Sequence, residues 1–176
     1  MTSSPPSSPD SPALRPDCAR CAALCCAAFP FTPSADFPIR KAAGAACPQL
    51  RTDLRCAVHG ELRERGFAGC ANFDCFGAGQ RVSQAIPGDW RTDPALAART
   101  FDTFQGVFQL HALLWHLEEA LRYDPLDPEL RALREALGGD EPELAALPQQ
   151  RSRVNGALLA LSARLRGPGP DRRGVD

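Results

Sequence analysis

The stretch Phe101-Asp-Thr-Phe104-Gln-Gly-Val107-Phe108-Gln-Leu110-His111-Ala-Leu-Leu114-Trp115-His-Leu117-Glu-Glu-Ala-Leu121 carries the longest apolar period of the chain. Phe101, Phe104, Phe108, His111 and Trp115 step alternately by three and four, and Val107, Leu110, Leu114, Leu117 and Leu121 do the same. The two stripes are adjacent, which predicts one helix over 95–123 with a wide buried face. The polar side holds Asp102, Gln105, Gln109, His116 and Glu119. His111 lies on the apolar stripe, so it reads as a core histidine. His116 lies on the other side, so the two form no metal pair.

Working outward toward the C-terminus, a second helix is marked at both ends. Asp127 is placed as its N-cap, Pro128 at its first position, Leu130, Leu133 and Leu137 inside, and Gly138 after it. Val154, Leu158, Leu161 and Leu165 predict a third helix over 150–166, and Pro142 and Pro148 bracket at most a short turn. Three amphipathic helices with short connections imply a three-helix α bundle. The expected class is mainly α.

Working outward the other way, the composition changes. All eight cysteines fall between Cys18 and Cys75, as Cys18-x2-Cys21-x3-Cys25-Cys26 followed by Cys47, Cys56, Cys70 and Cys75. That density signals a covalent or metal framework rather than ordinary packing. Residues 17–88 read as a small irregular cysteine-rich module packed on the bundle, which takes 89–168. A Pro- and Ser-rich disordered lead (1–16) and a disordered tail (169–176) flank them. Leu50, Leu54, Val58 and Leu62 recur every four residues and Gly66 follows, so one helix is predicted over 53–65, with Cys56 and His59 turned away from the leucines. Gly77-Ala78-Gly79 lacks the context of a phosphate loop and reads as a turn.

The compartment selects the chemistry. The N-terminus has neither a basic start nor an apolar core of the secretory kind. No run approaches the roughly 18 apolar residues of a membrane span. The chain therefore reads as cytoplasmic, where thiols stay reduced and clustered cysteines bind metal or react; a disulfide framework is the alternative. Net charge is −1 and pI about 6.3, which gives no footprint for nucleic acid and no polybasic membrane patch. Lys41 is the sole lysine beside nineteen arginines.

A Cys-x2-Cys step bends the chain so that two thiolates reach one ion. Adjacent Cys25 and Cys26 would point apart on an extended backbone, so they would serve two ions, two edges of a cluster, or leave one thiol free. Arg20 nearby would favour a deprotonated thiol in that pair. Eight thiols can complete two four-coordinate sites, and the candidate metal ligands are Cys18, Cys21, Cys25, Cys26, Cys47, Cys56, Cys70 and Cys75. His59, three residues after Cys56, is a further possible ligand or supporting donor.

Cys18-x2-Cys21-x3-Cys25-Cys26, with Cys47-Pro-Gln-Leu50, Cys56-Ala-Val-His59 and Cys70, resembles the YkgJ-type zinc- or iron-chelating cysteine-cluster family. Three residues rather than two precede the Cys25-Cys26 pair here, and His59 stands where that family often has tyrosine. Continuing through Gly69-Cys70 and Asp74-Cys75-Phe76-Gly77-Ala78-Gly79-Gln80, the chain is also similar to the cysteine-rich module preceding the repeats of some actinobacterial pentapeptide-repeat proteins. One pentapeptide-like unit, Ala71–Cys75, builds no solenoid.

The functional expectation is a metal-binding protein holding zinc, with iron or an iron–sulfur cluster as the alternative. It would act as a binding module for a protein partner, without nucleic acid or membrane. A metal- or thiol-dependent redox enzyme and a redox-sensing regulator are the competing readings.

Overall fold

The computed structural model describes residues 12–139 and 144–166. They are mainly helical, with six α-helices: α1 (Leu24–Ala28), α2 (Ala68–Asn72), α3 (Ala78–Ala85), α4 (Pro94–Tyr123), α5 (Pro128–Leu137) and α6 (Leu147–Arg166). Among the described residues there is no β-strand, only the isolated bridges Phe31↔Lys41 and Leu50↔Cys56. Residues 1–11, Pro142 and the tail 169–176 lie outside the described residues. The last part of the expected lead is described: Pro12–Leu14 form a 3-10 turn and Leu14 is buried.

The described residues divide into two compact units, one ending at Ala112 and the other beginning at Leu113. The first unit is cored by Leu24, Ala27, Phe67, Ala78, Val82, Trp90, Phe101, Phe104, Val107 and Leu110. Phe29 is its aromatic centre, with ring centroids 5.7, 5.4 and 5.5 Å from Phe73, Phe104 and Phe108. These edge-on and tilted contacts join the cysteine-bearing loops to the first part of α4. Irregular chain is thereby anchored on a long, well-formed helix.

His111 is 1% exposed, as its place on the apolar stripe predicts. Its ring is satisfied at both nitrogens. The Phe76 carbonyl, 2.6 Å from Nδ1, can only accept, so Nδ1 carries the proton; the Arg81 guanidinium then donates to Nε2 at 3.0 Å. Phe76 has φ +49°, and its amide is held by Asp74 Oδ1 at 2.6 Å. The histidine thus ties α4 to the turn that follows Cys75.

In the second unit α5 and α6 pack on each other through Leu130, Leu133, Leu137, Val154, Ala157 and Leu161. Asp127 caps α5 as predicted, accepting from the Leu130 amide at 2.9 Å, and Arg164 of α6 also donates to its carboxylate. α6 begins at Leu147, three residues before the predicted start, because the fixed φ of Pro148 suits a first helical turn.

The helix predicted over 53–65 is absent. That segment is a series of turns with one 3-10 stretch, His59–Glu61. Asp53 Oδ1 accepts from the Arg55 amide at 3.0 Å, Leu54 takes φ +59°, and Leu50 pairs with Cys56. A short side chain bonding the backbone two residues on competes with the helical ladder, and here it wins.

Burial depresses the pKa of His111 from 6.5, with the Arg81 charge acting in the same direction and the Phe76 carbonyl opposing. The unfolded chain therefore binds the proton more readily, so folding stability should fall as pH drops below about 6.5. Denaturant midpoints between pH 7.5 and 5 should show this slope. His111→Gln should flatten it, and an unchanged slope would remove His111 as its source.

Candidate functional site

All eight cysteines are free thiols. Cys18, Cys21, Cys25, Cys26, Cys56, Cys70 and Cys75 line one cavity of about 410 Å³, with His59, Leu54, Leu62 and Phe73 on its wall. Cys47, 8% exposed, does not line the cavity; its amide donates to the Cys26 carbonyl at 3.0 Å. The structure therefore gathers, from five separate segments, the thiols that the sequence scatters over 18–75.

Each segment is positioned locally. Asp17 opens the 3-10 turn Cys18–Arg20 by accepting from the Ala19 amide at 3.0 Å. Cys25 and Cys26 stand in α1 rather than on an extended backbone, and the Cys25 thiol is hydrogen-bonded to that of Cys26. The Leu50↔Cys56 bridge lays Cys56 over the turn that starts at Cys47, where the Leu50 amide donates to the Cys47 carbonyl at 2.9 Å. Cys70 is in α2, and Cys75 precedes the N-terminus of α3.

A polar frame holds these pieces. Gln80 is buried, its Oε1 accepting from the Asp17 amide at 3.1 Å and its Nε2 donating to the Arg15 carbonyl at 2.7 Å. Ser83 Oγ accepts from the Ala22 amide and donates to the Gly79 carbonyl, both at 2.8 Å, and Trp90 Nε1 donates to the Ala22 carbonyl at 2.8 Å. Arg55 clamps the Cys18 and Ala19 carbonyls. Gly79 is required by contact: a Cβ there would lie 2.7 Å from Cys21 Sγ and 3.7 Å from Cys75 Sγ.

Lys41 is the least expected member. It is 5% exposed, and its ammonium donates to the carbonyls of Ala27, Ala42 and Ala45 at 2.7, 3.0 and 2.9 Å. All three of its protons are thereby used. The hydrogen bond from Cys25, helped by the Lys41 charge, draws the Cys26 pKa down to about 7 against the effect of burial. Cys25, as the donor and itself buried, is pushed well up. Burial raises Cys70 to about 11, and the charges of Cys26, Cys47 and Cys56 add to this. Burial likewise raises Cys18, Cys47, Cys56 and Cys75. Arg20, expected to promote deprotonation of the pair, is instead ion-paired to Asp17 at 2.7 Å. The sequence did carry a signal for Lys41, namely one lysine among nineteen arginines. Gln80, Ser83 and Trp90 gave none.

As the side chains stand, no group of three or more His, Cys, Asp or Glu among the described residues is disposed to hold a metal ion. The donor set is nevertheless one of soft thiols facing a common space, and that chemistry suits zinc or iron–sulfur species rather than hard cations.

The chain matches no protein-family model and no solved structure. It is 40% identical over 164 residues to Uncharacterized protein YybG of Bacillus subtilis (strain 168), an alignment covering 87% of this chain and 59% of YybG. The chain thus spans about three fifths of the length of that relative.

Two substitutions test the frame. Lys41→Met should leave three carbonyls without their donor and lower the unfolding free energy by on the order of 1–3 kcal/mol, read by denaturant titration. Gly79→Ala should destabilise as well, although alanine is the better helix former by about 1 kcal/mol, because the methyl meets Cys21 Sγ. Faster alkylation of Cys21 in that variant would locate the displacement, and an unchanged rate would argue against the close contact.

Proposed function

We propose that this protein binds metal through Cys18, Cys21, Cys25, Cys26, Cys47, Cys56, Cys70 and Cys75, with zinc as the ion and iron or an iron–sulfur cluster as the alternative. The observation that carries the reading is the convergence of seven thiols on one cavity, with the eighth buried beside Cys26. The likeness of Cys18–Cys26 to the YkgJ-type pattern supports it. Ligation needs thiolates, so loading releases protons and is opposed by the burial that raises most of these thiols. Lys41 lies close enough to offset part of the accumulated negative charge. His59, on the same wall, would serve as an additional or supporting donor.

With the metal bound, the protein would act as a binding module for a protein partner in the reducing cytoplasm. Tyr123, Leu126, Leu159 and Leu165 are 70, 80, 69 and 59% exposed and would offer apolar contact. No helix among the described residues is long and apolar enough to cross a membrane. One observation favours a second reading, a thiol-dependent redox enzyme or redox-sensing regulator. Cys25 and Cys26 are hydrogen-bonded neighbours with opposite pKa shifts, and the lowered member is the nucleophilic one.

Anaerobically purified full-length chain should contain at least one zinc or iron per molecule by elemental analysis. The absorption spectrum separates colourless zinc from an iron–sulfur chromophore. Chain that is fully folded without metal, and unaltered by chelator, would overturn the reading.

A further inference from the structure

We propose that Cys25 and Cys26 form a binding site for a monosubstituted trivalent arsenical, chelated by the two adjacent sulfurs with its organic group against the apolar wall of the cavity. This goes beyond the metal-binding reading and does not rest on it, since the ligand needs two thiols and no metal ion.

The geometry of the pair carries the assignment. Both cysteines stand in the short helix α1, both line the cavity of about 410 Å³, and the Cys25 thiol is hydrogen-bonded to that of Cys26. Sulfurs in that contact are near enough for one atom to bridge them. Their backbone is pinned on both sides. The Cys26 amide donates to the Ala23 carbonyl at 3.0 Å, the Cys26 carbonyl accepts from the Cys47 amide at 3.0 Å, and the Ala27 carbonyl accepts from Lys41 Nζ at 2.7 Å. A pair already held side by side loses little freedom on being bridged, so the second bond forms at a high effective concentration.

The number of donors points the same way. No three His, Cys, Asp or Glu among the described residues are disposed about one point, so a ligand needing three or four must move them. A ligand that takes two finds them in contact. The cavity is also far larger than a single ion and falls within the range of small-molecule sites, on the order of 300–1,000 Å³. Ala23, Leu54, Leu62 and Phe73 stand on its wall. Phe73 is 39% exposed and edges an aromatic cluster, with ring centroids 5.7 and 5.5 Å from Phe29 and Phe108. It thus offers a ring to an aryl substituent.

The reaction balances without an oxidant. With phenylarsine oxide, C6H5As=O and two thiols give C6H5As(SR)2 and one water. Both S–H bonds break, two As–S bonds form, and the arsenic–oxygen bond breaks as oxygen leaves with both thiol protons. Arsenic stays trivalent and neither sulfur is oxidised.

The test uses full-length chain, stripped of metal and reduced, treated anaerobically with one equivalent of phenylarsine oxide. Intact mass spectrometry should show one phenylarsenic group per chain and two fewer alkylatable thiols, and fragmentation should place the group on Cys25 and Cys26. Excess monothiol should leave it bound, while a 1,2-dithiol removes it. Cys25→Ser should weaken retention by on the order of 100-fold, the gain that a second, intramolecular bond supplies. Mapping on wild-type chain needs no variant, so a misfolded variant does not spoil the result. A peptide of residues 23–28 carries the same pair without the cavity, so the chain should favour phenyl over methyl arsenical more strongly than the peptide does. Placement on any other pair of cysteines, release by the monothiol, or equal selectivity of chain and peptide would overturn the proposal. Zinc titration of the same preparation keeps the two readings apart. Zinc uptake without arsenical capture removes this site alone, and arsenical capture with neither zinc nor iron uptake removes the metal-binding reading alone.

Discussion

The buried ammonium of Lys41 is the contact on which the cysteine-rich part most depends. By donating to the carbonyls of Ala27, Ala42 and Ala45, it joins the end of α1, where Cys25 and Cys26 stand, to the loop that leads into Cys47. Regular secondary structure would have satisfied those carbonyls within its own ladder. Here the loops have none, and one side chain with three protons replaces it. The Phe31↔Lys41 bridge and the Phe31 ring, 5.4 Å from the ammonium, fix the lysine backbone and cap its charge. A buried cation without such partners would be costly; with all three protons used it becomes a fastener.

The same logic governs the other side of the cavity. Gln80, Ser83 and Trp90 reach back to the backbone of Arg15, Asp17 and Ala22, so α3 and its following loop grip the segment that carries Cys18 and Cys21. Buried backbone groups must find partners, and where no strand supplies them, polar side chains from a helix do. The result is a set of thiols whose segments are held by hydrogen bonds to their backbones, with the Cys47, Cys56 and Cys75 sulfurs also accepting from nearby amides.

The gathering of these thiols has an electrostatic cost. Eight thiols in one region cannot all ionise without compensation, which is why burial and mutual repulsion raise most of them. Only Cys26, with a thiol donor on one side and an ammonium on the other, is drawn toward ionisation. A divalent ion would reverse the balance for the rest, because a cation at the centre turns the repelling thiolates into ligands.

The helical half was legible in residue order because its signals are local. The alternating three-and-four spacing from Phe101 to Leu121 predicted α4, and Asp127, Pro128 and Gly138 marked both ends of α5. His111 was readable as core from its stripe alone. The cysteine half was legible only as composition. Spacing of four from Leu50 to Leu62 suggested a helix, but Asp53 and the αL turn at Leu54 broke it, and Cys56 reached the cavity by a turn instead. The sequence by itself thus determined the mainly α class, both ends of α5 and the clustering of cysteines in one part of the chain, because periodicity, capping and residue identity act over a few residues. Only the tertiary structure decided which cysteines face one another, and that Lys41 and Gln80 rather than Arg20 support them. Those choices depend on hydrogen bonds and burial between residues up to 68 apart in the chain, which no local pattern encodes.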